Sequence, residues 1–382
     1  EFLSAALSSD MDDSDRVRLL LDDCKNFEID ILKPDVNKSQ LNFVNQGDNE
    51  ILYGLGAVKG LGKAAIENII SEREQKPFEN LYDFCARVDL SKVDKRGIEP
   101  LIKCGAMDSF NLSRKEMLES LEDAMKYAKQ NTMTQESGIS DLFGGISESN
   151  DFIPVKKDKY DDFANSKFEF SALGFYLETH PVKEHYWELK KLGTGSIENV
   201  MEERMNTISG VIIRQNRIQT RRGPLVFATL DDGTDRIELV ISSDVLDSFE
   251  GNLNPQTIYI ASGDVTFEKD TQKKNIGLQK KMRVIDISSL EEARMKSVTK
   301  LKINIEGQEK KDVLDIVENL KAIALIENNT QGSQIEMQYN LNSGSANIEL
   351  DKDFRILLND DNMDKLVENC GKENIDFQYR AR

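Results

Sequence analysis

The spacing of hydrophobic residues changes along this chain and divides it into regions of different secondary structure. Over residues 1–35 and 57–130 the apolar positions recur at helical spacing. Residues 206–288 switch to the alternation of apolar and polar positions that is typical of strands. Residues 299–382 contain both patterns. The chain is therefore predicted to be an α+β protein of several domains, with a helical domain, a β-barrel and a small C-terminal α/β domain.

Five strands, with one helix after the third, are expected in the β-rich region. The predicted strands are 207–213, 225–230, 236–241, 257–265 and 275–287, and the predicted helix is 244–249. The turn Asp231-Asp232-Gly233-Thr234 joins the second and third strands as a hairpin. This number and order of elements is typical of a five-stranded OB-fold β-barrel.

The last region is expected to form a separate α/β domain. Alternating apolar residues predict strands at 301–305, 334–339 and 346–350. Helical spacing predicts helices at 311–320 and 360–370.

A glycine-containing motif lies in the segment Gly54–Ile70, where Ile66 and Ile69 follow it at helical spacing. Glycines allow a tight hairpin between two helices, and the amides and dipole of the second helix then favour a phosphate. We therefore predict a helix-hairpin-helix that binds the backbone of duplex DNA without reading its sequence. The predicted contact residues are Val58, Lys59, Gly60, Leu61, Gly62 and Lys63.

Two alternatives remain open for these glycines. The motif is also compatible with an ordinary helical turn capped by glycine. A degenerate second copy is visible at Arg96–Asp108, and its alternative is a core helix that ends at Gly105.

Two adjacent apolar residues, Leu142 and Phe143, lie in the segment Gly138–Gly144. The surrounding stretch, 131–167, is polar and shows little periodicity, so we expect a loop there. Apolar anchors in a polar loop are typical of linear motifs that bind a partner protein. The alternative is a loop that packs on its own domain.

Basic residues are concentrated in two predicted loops of the barrel. These loops form the usual binding rim of an OB-fold and would suit a single strand of nucleic acid. The alternative is a barrel that binds a protein or acts as a spacer. The basic residues are Arg214, Arg217, Arg221 and Arg222 after the first strand, and Lys269, Lys273 and Lys274 between the last two. Candidates for base stacking, or equally for the core, are Phe227, Tyr259 and Phe267.

Composition narrows the chemistry that we expect. The net charge of -18 means that contacts with DNA must come from backbone amides or from local basic loops. The four cysteines form no CxxC pair and only two histidines are present, so we expect no metal site, and scattered thiols fit a reducing cytoplasm. Paired aspartates such as Asp231-Asp232 lie in turn contexts. We therefore predict no catalytic residue and no cofactor in this chain.

Several segments resemble, in colinear order, the alpha subunit of bacterial DNA polymerase III. These segments are Glu1–Asp12, Ile31–Asn37, Ile51–Ile70, Leu81–Arg87, Leu101–Asp108 and Glu169–Pro181. The resemblance implies the C-terminal region of that family, divided into four domains. The implied domains are the end of the fingers domain at 1–40, a clamp-binding domain at 41–192 with the helix-hairpin-helix at 54–70 and a clamp-binding loop at 138–144, the OB-fold at 206–290 and a domain that binds the tau subunit at 296–382.

The resemblance also implies roles and partners. The clamp-binding motif of the family stands at Ile139, Ser140, Asp141, Leu142 and Phe143, with Ile139 in place of the usual Gln. The implied partners are duplex and single-stranded template DNA, the sliding clamp (beta subunit) and the tau subunit of the clamp loader. The family's catalytic aspartates and their magnesium belong to a palm domain, which we expect upstream of Glu1. This chain would therefore hold DNA and tether a polymerase in the cytoplasm, with no membrane contact.

An alternative outside this family is a stand-alone nucleic-acid-binding module that combines a helix-hairpin-helix with an OB-fold. It could belong to a tRNA-synthetase-like protein or to a repair-protein fragment. The sequence has neither an ATP-binding motif nor the Lys-x-Asp-Gly nucleophile of a ligase.

Overall fold

The computed structural model divides the chain into two units, Glu1–Pro181 and Val182–Arg382. No helix among the described residues is long and apolar enough to cross a membrane. The described residues are 1–137, 162–221, 223–249, 253–255, 257–269, 278–306, 316–318, 320, 332–341, 344–350 and 355–380.

The first unit is mainly helical. Its helices are α1 (Phe2–Ser9), α2 (Ser14–Asn26), α3 (Lys63–Gln75), α4 (Leu81–Arg87), α5 (Lys95–Lys103), α6 (Arg114–Ser137) and α7 (Asp162–Leu173). A small sheet in the order β1-β3-β2 is formed by β1 (Asp30–Leu32), β2 (Val44–Asn45) and β3 (Glu50–Leu52). One apolar core joins these elements and includes Leu7, Ile66, Leu121 and Phe175. Residues 1–40 share this core with the residues that follow them, and the predicted domain boundaries stay predictions.

Polar side chains fix where the helices of the first unit begin. Asp13 accepts hydrogen bonds from the first amides of α2, and Asn80 and Asp94 do the same for α4 and α5. Each cap satisfies amides that have no partner within the helix.

The second unit begins with the short helices α8 (Pro181–Glu184) and α9 (Tyr186–Lys191), and a closed barrel follows them. The barrel order is β4-β5-β6-β8-β7, with β6 and β8 parallel. Its elements are β4 (Met205–Thr220), β5 (Gly223–Asp231), β6 (Arg236–Ile241), α10 (Ser243–Ser248), β7 (Ile258–Lys269) and β8 (Leu278–Ser289). The predicted five strands with a helix after the third are therefore confirmed.

The first barrel strand is longer than the sequence predicted. Arg214 and Arg217 were expected in a loop after residue 213, but both lie in β4, which pairs with β5 from Val211↔Asp231 to Thr220↔Gly223. The loop prediction was wrong because residues 214–220 are mostly polar and lack apolar alternation. Pairing with β5 nevertheless makes them a strand, in which the backbone groups that face β5 form hydrogen bonds.

The C-terminal domain is a sheet with helix α12 (Asp360–Cys370) packed in the same core. Its strands, in the order β11-β10-β9-β13 with β12 paired to β10, are β9 (Val298–Glu306), β10 (Ser333–Leu341), β11 (Gly344–Glu349), β12 (Arg355–Ile356) and β13 (Ile375–Tyr379). The sequence predicted α12 and three of the strands but missed β12 and β13; in β13, Ile375 and Phe377 are buried in alternation. Most of the predicted helix 311–320 lies outside the described residues, and residues 316–318 and 320 are helical.

A buried arginine connects helices of the second unit that are distant in sequence. Arg294, in α11 (Leu290–Ser297), donates to Glu188 of α9 with an Nε–Oε1 distance of 2.6 Å. Its Nη1 donates to the Leu358 carbonyl and to Asp360 at the start of α12, both at 3.0 Å. The side chains of Arg294 and Glu188 are each 1% exposed. Since burying one of these charges alone costs several kcal/mol, each requires the other.

Arg294→Met should destabilise the second unit strongly because it leaves the buried Glu188 with only His185, whose Nδ1 lies 3.9 Å from Oε2, beside it. We expect a loss of about 3–5 kcal/mol in the free energy of unfolding. Trp187, the only tryptophan of the chain, stacks on Phe377 at a centroid distance of 5.4 Å, so its fluorescence can follow chemical denaturation of this unit.

The matched control is the double variant Arg294→Met with Glu188→Leu, which removes both charges. It should recover most of the lost stability. A double variant as unstable as the single one would show that the ion pair is not the cause.

Candidate nucleic-acid interface

The predicted helix-hairpin-helix motif folds as a tight hairpin before α3. A single 3-10 turn, Leu55–Ala57, precedes it in place of a longer first helix. Gly60 has a φ of +81°, a left-handed conformation that glycine adopts without strain, and it turns the chain back. Gly62 then occupies the N-cap position of α3.

Four backbone amides of this hairpin are available to a ligand. Among the described residues, none accepts a hydrogen bond from the amides of Gly60, Gly62, Lys63 or Ala64. Gly62 has no side chain that could cap α3, so the first amides of the helix stay open at its positive end. All four residues are exposed. The arrangement can therefore bind an anion such as a phosphate.

The predicted contact residues divide into two groups. Val58 and Leu61 are buried in the core of the first unit, so they anchor the hairpin and do not face a ligand. Lys59, Gly60, Gly62 and Lys63 are exposed. Contact between these residues and DNA stays a prediction.

The two glycines have different structural roles. Gly60 requires its positive φ, whereas Gly62 has an ordinary φ of -77° and a Cβ atom there would meet no atom within 4 Å. The open space above Gly62 lets a ligand approach the amides closely.

Two residues of this surface were not predicted from the sequence. Ala64 contributes an open amide at the second position of α3. The backbone of Arg96 lies next to the hairpin, because a Cβ atom at Gly60 would be 3.7 Å from its carbonyl oxygen. Its side chain is 94% exposed, and its nearest ion-pair partner is Asp94 at 3.7 Å. Neither residue could be identified from the sequence. Ala64 contributes its backbone amide, and Arg96 comes close to the hairpin only in the folded structure.

The degenerate second copy folds as the core-helix alternative. Helix α5 ends in a Schellman motif, in which Ala106 donates to the Leu101 carbonyl and Gly105 to the Ile102 carbonyl. The Arg114 guanidinium fills the space where a Cβ atom of Gly105 would lie. This glycine is therefore covered by a side chain and forms no open hairpin.

Charged side chains form a network in the first unit. Arg114, which is 6% exposed, pairs with Asp108 at 2.9 Å and with Glu178 at 3.0 Å. Lys33 pairs with the same two carboxylates. Glu169 accepts hydrogen bonds from the amides of Leu177 and Glu178. These contacts hold together the residues after α5 and those after α7.

The basic residues of the barrel lie on a projecting β4–β5 ribbon. Residues 214–220 are all exposed, and Arg221 is exposed in the turn that follows. Arg214 and Arg217 are three residues apart in β4, so they point to opposite faces of the ribbon. The structure therefore does not gather the predicted arginines on one face.

The other barrel residues that were predicted to contact nucleic acid differ in their exposure. Tyr259 is a core residue, 1% exposed, whose hydroxyl accepts from the Asn254 amide, so it is not available for stacking on a base. Phe227 and Phe267 are partly buried. Lys269 was expected in the loop between the last two strands, but it is the last residue of β7 and pairs with Leu278, so that prediction was wrong. Its side chain lies outside the described part of the structure, as do Arg222, Lys273 and Lys274 and the clamp-binding motif Ile139, Ser140, Asp141, Leu142 and Phe143.

Comparisons with known proteins identify both domains. A family described as "Helix-hairpin-helix motif" matches residues 28–117. A family described as "OB-fold nucleic acid binding domain" matches residues 207–288. These matches confirm the two folds that the sequence predicted and define a nucleic-acid-binding protein.

Curated relatives name the particular family. The DNA polymerase III subunit alpha of Vibrio cholerae is 31% identical over 99% of this chain and 33% of that protein. The subunit alpha of Escherichia coli K12 is 32% identical over 82% of this chain and 27% of that protein. The chain belongs to the DNA polymerase III alpha subunit family, as its sequence segments suggested. It spans about one third of the length of the curated relatives that it matches.

Among solved structures, one match is a small single-stranded DNA-binding protein from Streptomyces coelicolor. It is 15% identical and covers 23% of this chain and 94% of that chain, with a TM-score of 0.20.

Glu169 should make the stability of the first unit depend on pH. Burial raises the pKa of its carboxyl group to about 7, against the opposing effect of the amides of Leu177 and Glu178. Between the ordinary glutamate pKa of about 4.3 and about 7, the folded unit keeps a proton that the unfolded chain has released. The contribution of Glu169 to stability is therefore complete below this interval and is lost as the pH rises through it.

We expect urea denaturation of the first unit to give a lower free energy of unfolding at about pH 8 than at about pH 5, and Glu169→Gln to reduce this difference. The exposed Glu74→Gln variant controls for the loss of one charge. An unchanged pH dependence in Glu169→Gln would contradict the assignment.

Proposed function

We propose that this chain is the part of a replicative DNA polymerase that holds DNA, with the polymerase activity supplied by residues outside it. The observation that carries the proposal is the hairpin at Gly60–Ala64, whose four open amides and flanking cations suit the phosphates of a DNA backbone. Membership of the DNA polymerase III alpha subunit family supports the replicative role.

The hairpin suits a duplex because it offers fixed donors and reads no base. Backbone amides at a helix N-terminus bind phosphate oxygens and place the protein on DNA without sequence preference. The cations near the amides are few: Lys59 is exposed, Lys63 lies 3.8 Å from Glu67, and Arg96 lies 3.7 Å from Asp94. Such ion pairs between exposed groups are weak, so a phosphate can compete with them.

The barrel is proposed to bind the single-stranded template. An OB-fold binds single strands through a basic groove and stacking residues. The exposed β4–β5 ribbon with Arg217 and Arg221 supplies the charge. Phe227, which pairs with Asn216 across the ribbon, is the remaining stacking candidate there.

Tethering is the third element of the proposal. Binding of the sliding clamp through Ile139, Ser140, Asp141, Leu142 and Phe143, and of the tau subunit through residues 296–382, rests on the sequence resemblance alone. Both stay predictions, as does the catalytic use of magnesium by the rest of the polymerase.

Gly62→Val should weaken duplex binding. The valine side chain would stand over the open amides and keep a phosphate away, while its φ of -77° and free surroundings let the hairpin fold. Losing one charge-assisted hydrogen bond of about 1.5–3 kcal/mol corresponds to roughly tenfold or more in affinity. The measurement is titration of a mixed-sequence duplex by fluorescence anisotropy.

Gly62→Ala serves as the graded control, with an intermediate effect expected because its side chain is smaller. Thermal unfolding checks that both variants fold. Unchanged duplex affinity in a folded Gly62→Val protein would rule out the hairpin as the duplex site.

The double variant Arg217→Glu with Arg221→Glu should weaken binding of a single-stranded oligonucleotide. If each arginine contacts one phosphate, the slope of log affinity against log salt concentration should fall by about 1.4, at ~0.7 per contact. Arg204→Glu, directly before β4, reverses one charge and is the control for the single variants Arg217→Glu and Arg221→Glu, whose losses should add up to that of the double variant. Equal losses in the control and in each single variant would point to a general charge effect and not to the ribbon.

A further inference from the structure

We propose that the turn after α7, residues Leu173–Glu178, positions Lys59 beside the open amides of the hairpin, with Gly174 and Glu169 as its positioning residues. This inference rests on the proposed binding of duplex DNA by the hairpin and adds to it a part of the chain that lies more than a hundred residues further along.

The hairpin is bound to the end of α7 through its backbone. The amide of Lys59 donates to the carbonyl of Ala172 at 2.9 Å. Ala172 is the second-last residue of α7, where carbonyl groups have no partner within the helix. This bond therefore satisfies a helix end and fixes the first residue of the exposed loop.

The side chain of Lys59 lies against Gly174. A Cβ atom at Gly174 would overlap the Lys59 amine and lie 3.0 Å from both Lys59 Cε and Ser14 Oγ. Gly174 has a φ of +91°, so its backbone conformation also favours glycine. Any other residue at 174 would take the space that the lysine occupies.

The charge of the Lys59 amine is not neutralised by any residue that the structure describes. Within the part of the chain that the structure describes, no hydrogen bond or ion pair involves its Nζ atom, and the residue is exposed. The end of the lysine side chain, Cε and Nζ, therefore lies over Gly174, and no carboxylate among the described residues pairs with the amine. A cation held in this way loses less conformational freedom when it meets a phosphate than a lysine that extends freely into solvent.

The turn itself is fixed by buried groups. Glu169 accepts from the Leu177 amide at 2.9 Å and from the Glu178 amide at 3.1 Å. Glu178 is paired with Arg114 at 3.0 Å. Phe175 is 3% exposed, and its ring lies 6.5 Å from that of Tyr53. The turn cannot move away from the hairpin without breaking these contacts.

A double-mutant cycle between Gly174 and Lys59 tests the proposal, with duplex affinity measured over a range of salt concentrations. K59M should lower affinity several-fold and reduce the slope of log affinity against log salt by ~0.9, the value for one lost phosphate contact. G174A should lower affinity several-fold when Lys59 is present and have no further effect in the K59M background. K126M, a change of the same charge at an exposed lysine of α6, controls for net charge.

G193A controls for backbone strain, because Gly193 also has a positive φ but a Cβ atom there would meet nothing within 4 Å. If G174A does not fold, G174N replaces it, since asparagine tolerates positive φ better than alanine.

Equal effects of the Gly174 substitution with and without Lys59, or no effect with Lys59 present, would overturn the positioning role and leave the duplex site intact. Unchanged duplex affinity in both K59M and Gly62→Val would instead remove the duplex site on which the inference rests.

Discussion

Arg114 is buried in the first unit and paired with Asp108 and Glu178. A guanidinium group out of water costs several kcal/mol unless carboxylates compensate it, so these partners are held in place. Asp108 follows α5 and Glu178 follows α7, and the pairing joins two turns that are far apart in sequence. The carbonyl of Ala172, which accepts from the Lys59 amide, stands at the end of α7. The position of the exposed hairpin therefore depends on a charge that no ligand would touch.

An acidic chain limits how this protein can bind a polyanion. It has 68 acidic and 50 basic residues, so a broad positive surface is not available. Backbone amides at a helix N-terminus carry partial positive charge whatever the side-chain composition. Salt screens carboxylates that lie more than about 10 Å away at ~0.1 M ionic strength. A few open amides with Lys59, Lys63 and Arg96 nearby can thus attract phosphate locally, although the net charge is -18.

A buried ion pair also holds elements of the second unit together. Arg294 and Glu188 are buried together and connect α9, α11 and the start of α12. The barrel closes on itself through the parallel pairing of β6 with β8, which leaves no open sheet edge in the ring. A closed ring with anchored flanking helices can support the long β4–β5 ribbon, whose polar half is exposed.

The sequence by itself determined the barrel strands, helix α12 and the glycine hairpin, because alternation, helical spacing and turn residues are local signals. It did not determine that β4 continues to Thr220, since this depends on pairing with β5. It also could not separate Gly60, which needs a positive φ, from Gly62, which provides open space. Only the tertiary structure decided that Val58 and Leu61 face the core, that Arg96 joins the hairpin and that Gly174 accommodates Lys59. These contacts join residues that are distant in sequence, so the spacing of residues along the chain does not predict them.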